Sequence, residues 1–381
     1  MNRYLIILGF VGATLFTACS TSDDLSIGDS PVVDKEKEAA LIFEAGRNSE
    51  VPITLGAGQS RGLTRTPLSP SDDINNLAVF CLATGTQTGV SYIPTSVKGN
   101  NWSYDKNGEL GGLLVRMNNV SASVSSGNVS YTGEYYYPEA NWMKYNYYAY
   151  YPKQDDSNVT FTSSGNQLSV SFTALDGVHD VIWGRAYPET NPDPATDHDP
   201  YCAKYYLNNT TSEGPQFKFE HKLVQFKFFV KAFDQAVVDA GAKVTDMYIS
   251  NAIKQLTLIV ANKKDSTLNG KVTPNTKKKV KLYIKTNTDP LSVTALTQDD
   301  AHEVGYLMLP APPNLSAPDG PADDNGFIHY HIGGKVKFSD STEQDISIDM
   351  VPPQISPGVY GFEPGKKYNI YITVKKKLNT Q

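Results

Sequence analysis

Only three cysteines occur among the 381 residues, too few for a disulfide framework to organise a chain of this length. Cys19 falls at the end of a leader, which leaves Cys81 and Cys202 for the body. In an oxidising compartment these two could pair, but Cys81 lies in the apolar run LAVFCLATG, where a buried free thiol behaves as a small hydrophobe. Histidine is scarce as well, with six in all. His329 and His331 alone are spaced to share a strand face, and no cysteine or carboxylate accompanies them at a familiar ligand spacing. No metal and no cofactor are therefore expected. His221 sits on the apolar parity of its strand and is expected to be a core histidine hydrogen-bonded to backbone, not a catalytic base. The chain has no GxSxG elbow, no phosphate-binding glycine loop and no zinc-protease helix motif, so no catalytic residue is assigned and no enzyme is expected. Spatial pairs of carboxylates for glycoside hydrolysis are invisible in one sequence, which keeps a hydrolase as a remote third reading.

Excess positive charge is missing too. Lys and Arg number 34 against 40 Asp and Glu, a net charge of -6, which removes the electrostatic basis for binding nucleic acid or an anionic membrane surface. Asp193, Asp197 and Asp199 crowd one loop, and Asp319, Asp323, Asp324 and Asn325 another, but neither has the spacing of an EF-hand. Solvated turns are expected there. No apolar run reaches the length of a membrane span, since the stretch from Tyr4 to Phe16 is too short.

What the sequence does have is 23 Tyr, 29 Gly and 23 Pro, a composition suited to half-buried strands joined by turns. The fold class expected is all-β, and the length suits two domains. Arg3 followed by the short apolar stretch reads as an export signal. Thr17, Ala18 and Cys19 after it resemble a bacterial lipoprotein signal, which makes Cys19 the lipidated first residue of the mature chain. Ser20 to Asp24 resemble the short acidic signal that sends Bacteroidales lipoproteins to the outer face of the outer membrane. Residues 1–19 are thus taken as the signal, 20–38 as a solvated tether, 39–212 as a first domain and 213–381 as a second, with the boundary near Ser212 to Gly214.

Short segments of period two recur along the body: Leu41 with Phe43, Leu168 with Val170 and Phe172, Leu256 with Leu258 and Val260, Val280 with Leu282 and Ile284, and Ile346 with Ile348 and Met350. Such alternation marks sandwich strands with one polar face. In FKFEHKLVQFKFFVK the apolar parity is odd at Phe217, Phe219 and Leu223 but even at Phe226, Phe228 and Val230. A one-residue slip swaps faces, so this strand is expected to bulge or to pass from one sheet to another near Leu223 and Val224. FDQAVVDAGA after it suits one or two helical turns, and the Pro-rich stretches 188–200 and 310–326 suit long surface loops. In KYNYYAYYP rings lie on both faces of a strand, which core packing explains.

Several landmarks, in order, resemble the fimbrillin family: VPITL, SRGLTRTP, NLAVFCLAT, YYYPEANWMKYNYYAYYP, HDVIWGRA, FKFEHKLVQFKFFV, YLMLPAP and GVYGFEPGKKYNIYITV. They span essentially the whole mature chain. The resemblance implies two transthyretin-like β-sandwich domains in tandem, export as an outer-membrane lipoprotein, and assembly into a surface fimbria that mediates adhesion. Assembly would follow proteolytic trimming after Arg65 or else Arg61, by donor-strand pairing with other fimbrial subunits. Gly58, Gly62 and Pro67 make that connection accessible to a protease. After Val374 the chain offers only KKKLNTQ, whose single apolar Leu378 makes it a poor donor, so a minor or tip subunit that accepts a strand is expected. The competing expectation is a non-polymerising surface lipoprotein that binds glycan or host protein.

Overall fold

The computed structural model describes residues 73–83, 115–125, 128–133, 135, 145–162, 166–187, 216–284, 290–317 and 326–376, together with the backbone of 33–35, 41–42 and 55–56. In chain order the strands are β1 Val33–Lys35, β2 Leu41–Ile42, β3 Leu55–Gly56, β4 Ile74–Ala83, β5 Val115–Ser125, β6 Asn128–Tyr131, β7 Tyr145–Tyr151 and β8 Val159–Phe161. They continue as β9 Gln167–Phe172, β10 Ile182–Tyr187, β11 Gln216–His221, β12 Val224–Ala232, β13 Lys243–Ile253, β14 Leu256–Asn262, β15 Val272–Pro274 and β16 Lys279–Tyr283. The last are β17 Leu291–Ser292, β18 His302–Leu309, β19 His331–Lys337, β20 Glu343–Asp349, β21 Gln354–Ser356, β22 Val359–Tyr360 and β23 Lys367–Val374. The chain is all-β, as its composition and alternation require. The segment after β12 makes one short helix, Gln235–Asp239, capped by Asp234, whose carboxylate accepts the Val237 N–H at 3.1 Å.

Two apolar cores form. The first lies between a sheet ordered β10-β7-β4-β5-β6-β3-β11-β2, in which β10 also pairs β11, and a sheet ordered β15-β14-β9-β8. The second lies between β1-β23-β12-β18 and β16-β13-β19-β20, with β17 beside β13. Alternation explains most of the packing: Leu168, Val170 and Phe172 on β9 and Leu256, Leu258 and Val260 on β14 all point into the first core. Tyr147, Tyr148, Ala149 and Tyr150, which lie on both faces of β7, are all buried, and β7 runs between β10 and β4 in its sheet. Trp183 ties the two sheets of this core together. Its indole N–H donates to the Val260 carbonyl at 2.9 Å, and its ring lies so close to Gly270 that a Cβ there would sit 2.6 Å from it.

The parity slip is realised as a change of sheet. β11 ends at His221, and after Lys222 and Leu223 the chain enters β12 in a different sheet. Phe217, Phe219 and Leu223 belong to the first core, whereas Val224, Phe226, Phe228 and Val230 belong to the second. The changeover thus falls at Leu223 and Val224, beyond the linker expected at Ser212 to Gly214, and β14 and β15 also return to the first core. β18 serves both: Met308 faces the first core while Leu307 and Leu309 face the second. The backbone of Val33–Lys35, within the stretch expected to be a tether, forms β1 against β23.

Cys81 is fully buried and free, and burial pushes its thiol up to about 12. A rise of that size from the ordinary value cuts the thiolate fraction at neutral pH on the order of a thousandfold. In native protein the Cys81 peptide should therefore escape alkylation by iodoacetamide, and it should label fully in guanidinium. Peptide mapping checks this, and a disulfide from Cys81 to Cys202 recovered under non-reducing conditions would refute it. Cys202 itself lies outside the described residues.

Candidate functional site

The feature that stands out is a set of strands met by the backbone of residues 33–35, 41–42 and 55–56. β23 is held on one flank by β12, in parallel register from Gln225 opposite Lys367 to Ala232 opposite Val374. On its other flank lies β1, with Val33 opposite Ile370 and Lys35 opposite Tyr368. β11 pairs β10 along its length and is also met by β2, at Phe219 opposite Leu41, and by β3, at Gln216 opposite Gly56. β3 in turn pairs β6 at Leu55 opposite Val129. One leading segment therefore touches edges of both sandwiches.

The covered strands are built from apolar residues facing their cores. On β23 these are Tyr368, Ile370, Ile372 and Val374, and on β11 Phe217 and Phe219, whose rings stack at 5.5 Å. The approach to β23 is fixed by a turn at Pro364 and Gly365, where Gly365 takes φ +78 and donates its N–H to the Leu223 carbonyl at 2.8 Å. Tyr368 accepts the Glu363 N–H on its phenol oxygen at 3.0 Å, and burial raises that phenol. The far end of β23 is pinned as well. Lys376 Nζ lies 2.7 Å from Asp340 and 5.1 Å from the Phe338 ring, and Lys375 Nζ lies 4.1 Å over Phe233. The Lys376 ammonium, with the Thr342 groups, holds the Asp340 carboxyl far below the usual carboxylate range. Without β1, β23 would be the edge of its sheet.

His221 proves to be a core residue, but its partner differs from the backbone group expected. Its Nδ1 meets the carboxylate of Asp180, which also accepts the Val181 N–H at 2.7 Å, while Nε2 is buried with no hydrogen-bond partner among the described residues. Asp180 lies 41 positions away in sequence, so no local pattern announces it. His331 is not a free exposed histidine: its Nδ1 lies 2.9 Å from Asp349 and its Nε2 3.1 Å from the Ser347 hydroxyl. Among the described residues no three His, Cys, Asp or Glu side chains are grouped to hold a metal ion. Sequence reasoning also missed Asn119, which adopts φ +51 within β5, accepts from the Tyr150 hydroxyl at 2.7 Å and donates to Asp156 at 2.7 Å. Cys19, Arg61, Arg65, His198, both acidic clusters (193–199 and 319–325) and the tail 377–381 lie outside the described residues.

Two apolar cores, each between two packed β-sheets, with sheet edges met by short strands from the leading part of the same chain, define a β-sandwich protein. The chain belongs to the fimbrillin-like family, whose model matches residues 64–381. No curated protein matches it. Among solved structures it is similar to a fimbrial protein from Bacteroides vulgatus ATCC 8482, at 13% identity over 78% of this chain and 89% of that one, with a TM-score of 0.42. It is also similar to the fimbrial anchor protein from Porphyromonas gingivalis, at 10% identity over 79% and 82% of the two chains, with a TM-score of 0.28.

Proposed function

We propose that this chain is a subunit of a bacterial surface fimbria that is exported as a lipoprotein on Cys19, trimmed after Arg65 or Arg61, and then accepts a strand from a neighbouring subunit. The observation carrying this reading is that β1, β2 and β3 all lie upstream of both arginines while pairing β23, β11 and β6. Cutting there would strip backbone partners from both sandwiches at once. Unpaired N–H and C=O groups beside apolar side chains are costly, so the vacated edge must be refilled by another extended strand. Acceptance without donation, a minor or tip position, fits the pinning of β23 by Lys375 and Lys376 and its eight-residue register with β12. Giving up β23 would cost the second core a strand. The division into tandem domains, 39–212 and 213–381, belongs to the same proposal, with β11, β14 and β15 completing the first core from the second stretch.

The test compares the full chain with one beginning at Thr66. A labelled synthetic peptide of residues 31–57 should bind the trimmed chain and bind the full chain at least about 100-fold more weakly, because an occupied edge must first be vacated. Equal binding to both, or to neither, defeats strand acceptance. Protein recovered from the cell surface should begin at Thr66 or Gly62, from an acylated precursor beginning at Cys19. A surface species beginning only at Cys19 would instead favour the non-polymerising lipoprotein.

A further inference from the structure

A cleft of about 340 Å³ opens at one end of the first sandwich, where the end of β7 and the start of β4 meet the loop that follows β9. Phe172 and Leu175 form its apolar floor and are almost completely buried. Tyr151 supplies a half-exposed ring in its wall, and Asn76, Gln154, Thr173 and His179 bring polar side chains to it. The walls are held rigidly. The Lys153 N–H donates to the Asn76 carbonyl at 2.7 Å and the Gln154 side chain donates to the Pro152 carbonyl at 3.0 Å. Opposite them, Asp176 accepts the Val178 and His179 N–H groups at 2.8 and 2.9 Å and meets His179 Nδ1 at 2.5 Å. Gly177 is held next to Asp176, its carbonyl accepting the Met308 N–H at 2.8 Å, in a position where a Cβ would strike Leu282 at 2.6 Å. A cleft so fastened needs little reorganisation to receive a ligand.

Its chemistry narrows the ligand. Among the described residues no lysine or arginine lines it, which disfavours phosphates and carboxylates. Its two carboxylates are already engaged, Asp176 by the loop and Asp180 by Val181 and His221. The uncharged groups in its lining are an aromatic ring whose phenol burial raises, two amides, a hydroxyl and an imidazole. These are uncharged donors and acceptors around an apolar ring face. We propose that this cleft is a binding site for a neutral pyranose sugar, stacked by its C–H face on Tyr151 and hydrogen-bonded through its hydroxyls to Asn76, Gln154 and Thr173. The volume holds about one or two such rings. The site is separate from the edges of β23 and β6 and does not depend on strand acceptance.

Saturation-transfer NMR on the full chain tests it with glucose, galactose, mannose, N-acetylglucosamine and, as the anionic probe, N-acetylneuraminic acid, each at millimolar concentration. At least one neutral sugar should give transfer, and the anionic sugar should give none. Asn76→Ala and Tyr151→Ala should each weaken binding about tenfold, the loss of one good contact. Asn76 is exposed, so its variant folds whatever happens at Tyr151, and Tyr151→Phe should retain binding by keeping the ring. Silence from every neutral sugar, equal transfer from the anionic one, or wild-type affinity in Asn76→Ala would overturn the proposal.

Discussion

Replacing Asp180 with alanine is expected to destabilise the first sandwich by about 3–5 kcal/mol, the usual cost of breaking a buried polar pair from one side. The side chains of Asp180 and His221 are 2% and 3% exposed, so the pair is almost wholly withdrawn from solvent. His221 Nε2 has no partner among the described residues, and the substitution would leave both ring nitrogens without a partner and the Val181 N–H without its acceptor. The damage should be local before it is global. His221 pairs Ile182 at the end of β11, and the Lys222 N–H donates to the Val181 carbonyl at 2.7 Å, so the chain is stitched here just before it changes sheets. Hydrogen exchange in Asp180→Ala should accelerate first at β10 and β11, with a lowered urea midpoint overall. Joint replacement of Asp180 and His221 by leucine should cost less than the single change, because it removes the stranded polar atoms with their partner. A single variant within about 0.5 kcal/mol of wild type would show that the pair contributes nothing.

The second large effect is expected from Phe226→Ala, at about 3–5 kcal/mol. Phe226 is fully buried on β12, the strand flanked by β18 and β23, and its ring meets Phe362 edge-on at 4.9 Å and Tyr330 at 5.8 Å, with Tyr368 at 6.2 Å. Tyr330 cannot swing into the vacated space, because its hydroxyl donates to the Pro310 carbonyl at 2.8 Å. The cavity would therefore persist. Phe229 on the same strand provides the contrast. It lies on the other face, only partly buried, and stacks on Tyr371 at 5.0 Å, so Phe229→Ala should cost about 1 kcal/mol. Urea denaturation of the two variants measures the difference, and equal costs would contradict the assigned faces of β12.

Local side-chain order made much of this readable. Period two on 168–172 and 256–260 predicts which residues are buried, because successive side chains of a strand must alternate whatever the strand pairs with. The slip at Leu223 and Val224 is readable for the same reason. Where the pattern fails, the cause lies beyond the segment. Val280 keeps the alternation with Leu282 and Ile284 yet is 39% exposed, since β16 is a sheet edge and pairs β13 across an irregularity between Ile249 and Ala252.

The sequence by itself determined the all-β class, the alternation of strand faces, the phase slip at Leu223 and Val224 and the family, all properties carried by residues close together in the chain. The tertiary structure decided which strand lies beside which: β9 with β14, β23 between β12 and β1, and Asp180 against His221. It also placed β11, β14 and β15 in the first core. Any alternating strand satisfies its own periodicity with many partners, so the choice among them rests on non-local register and the joint filling of a core, which no short stretch of sequence contains.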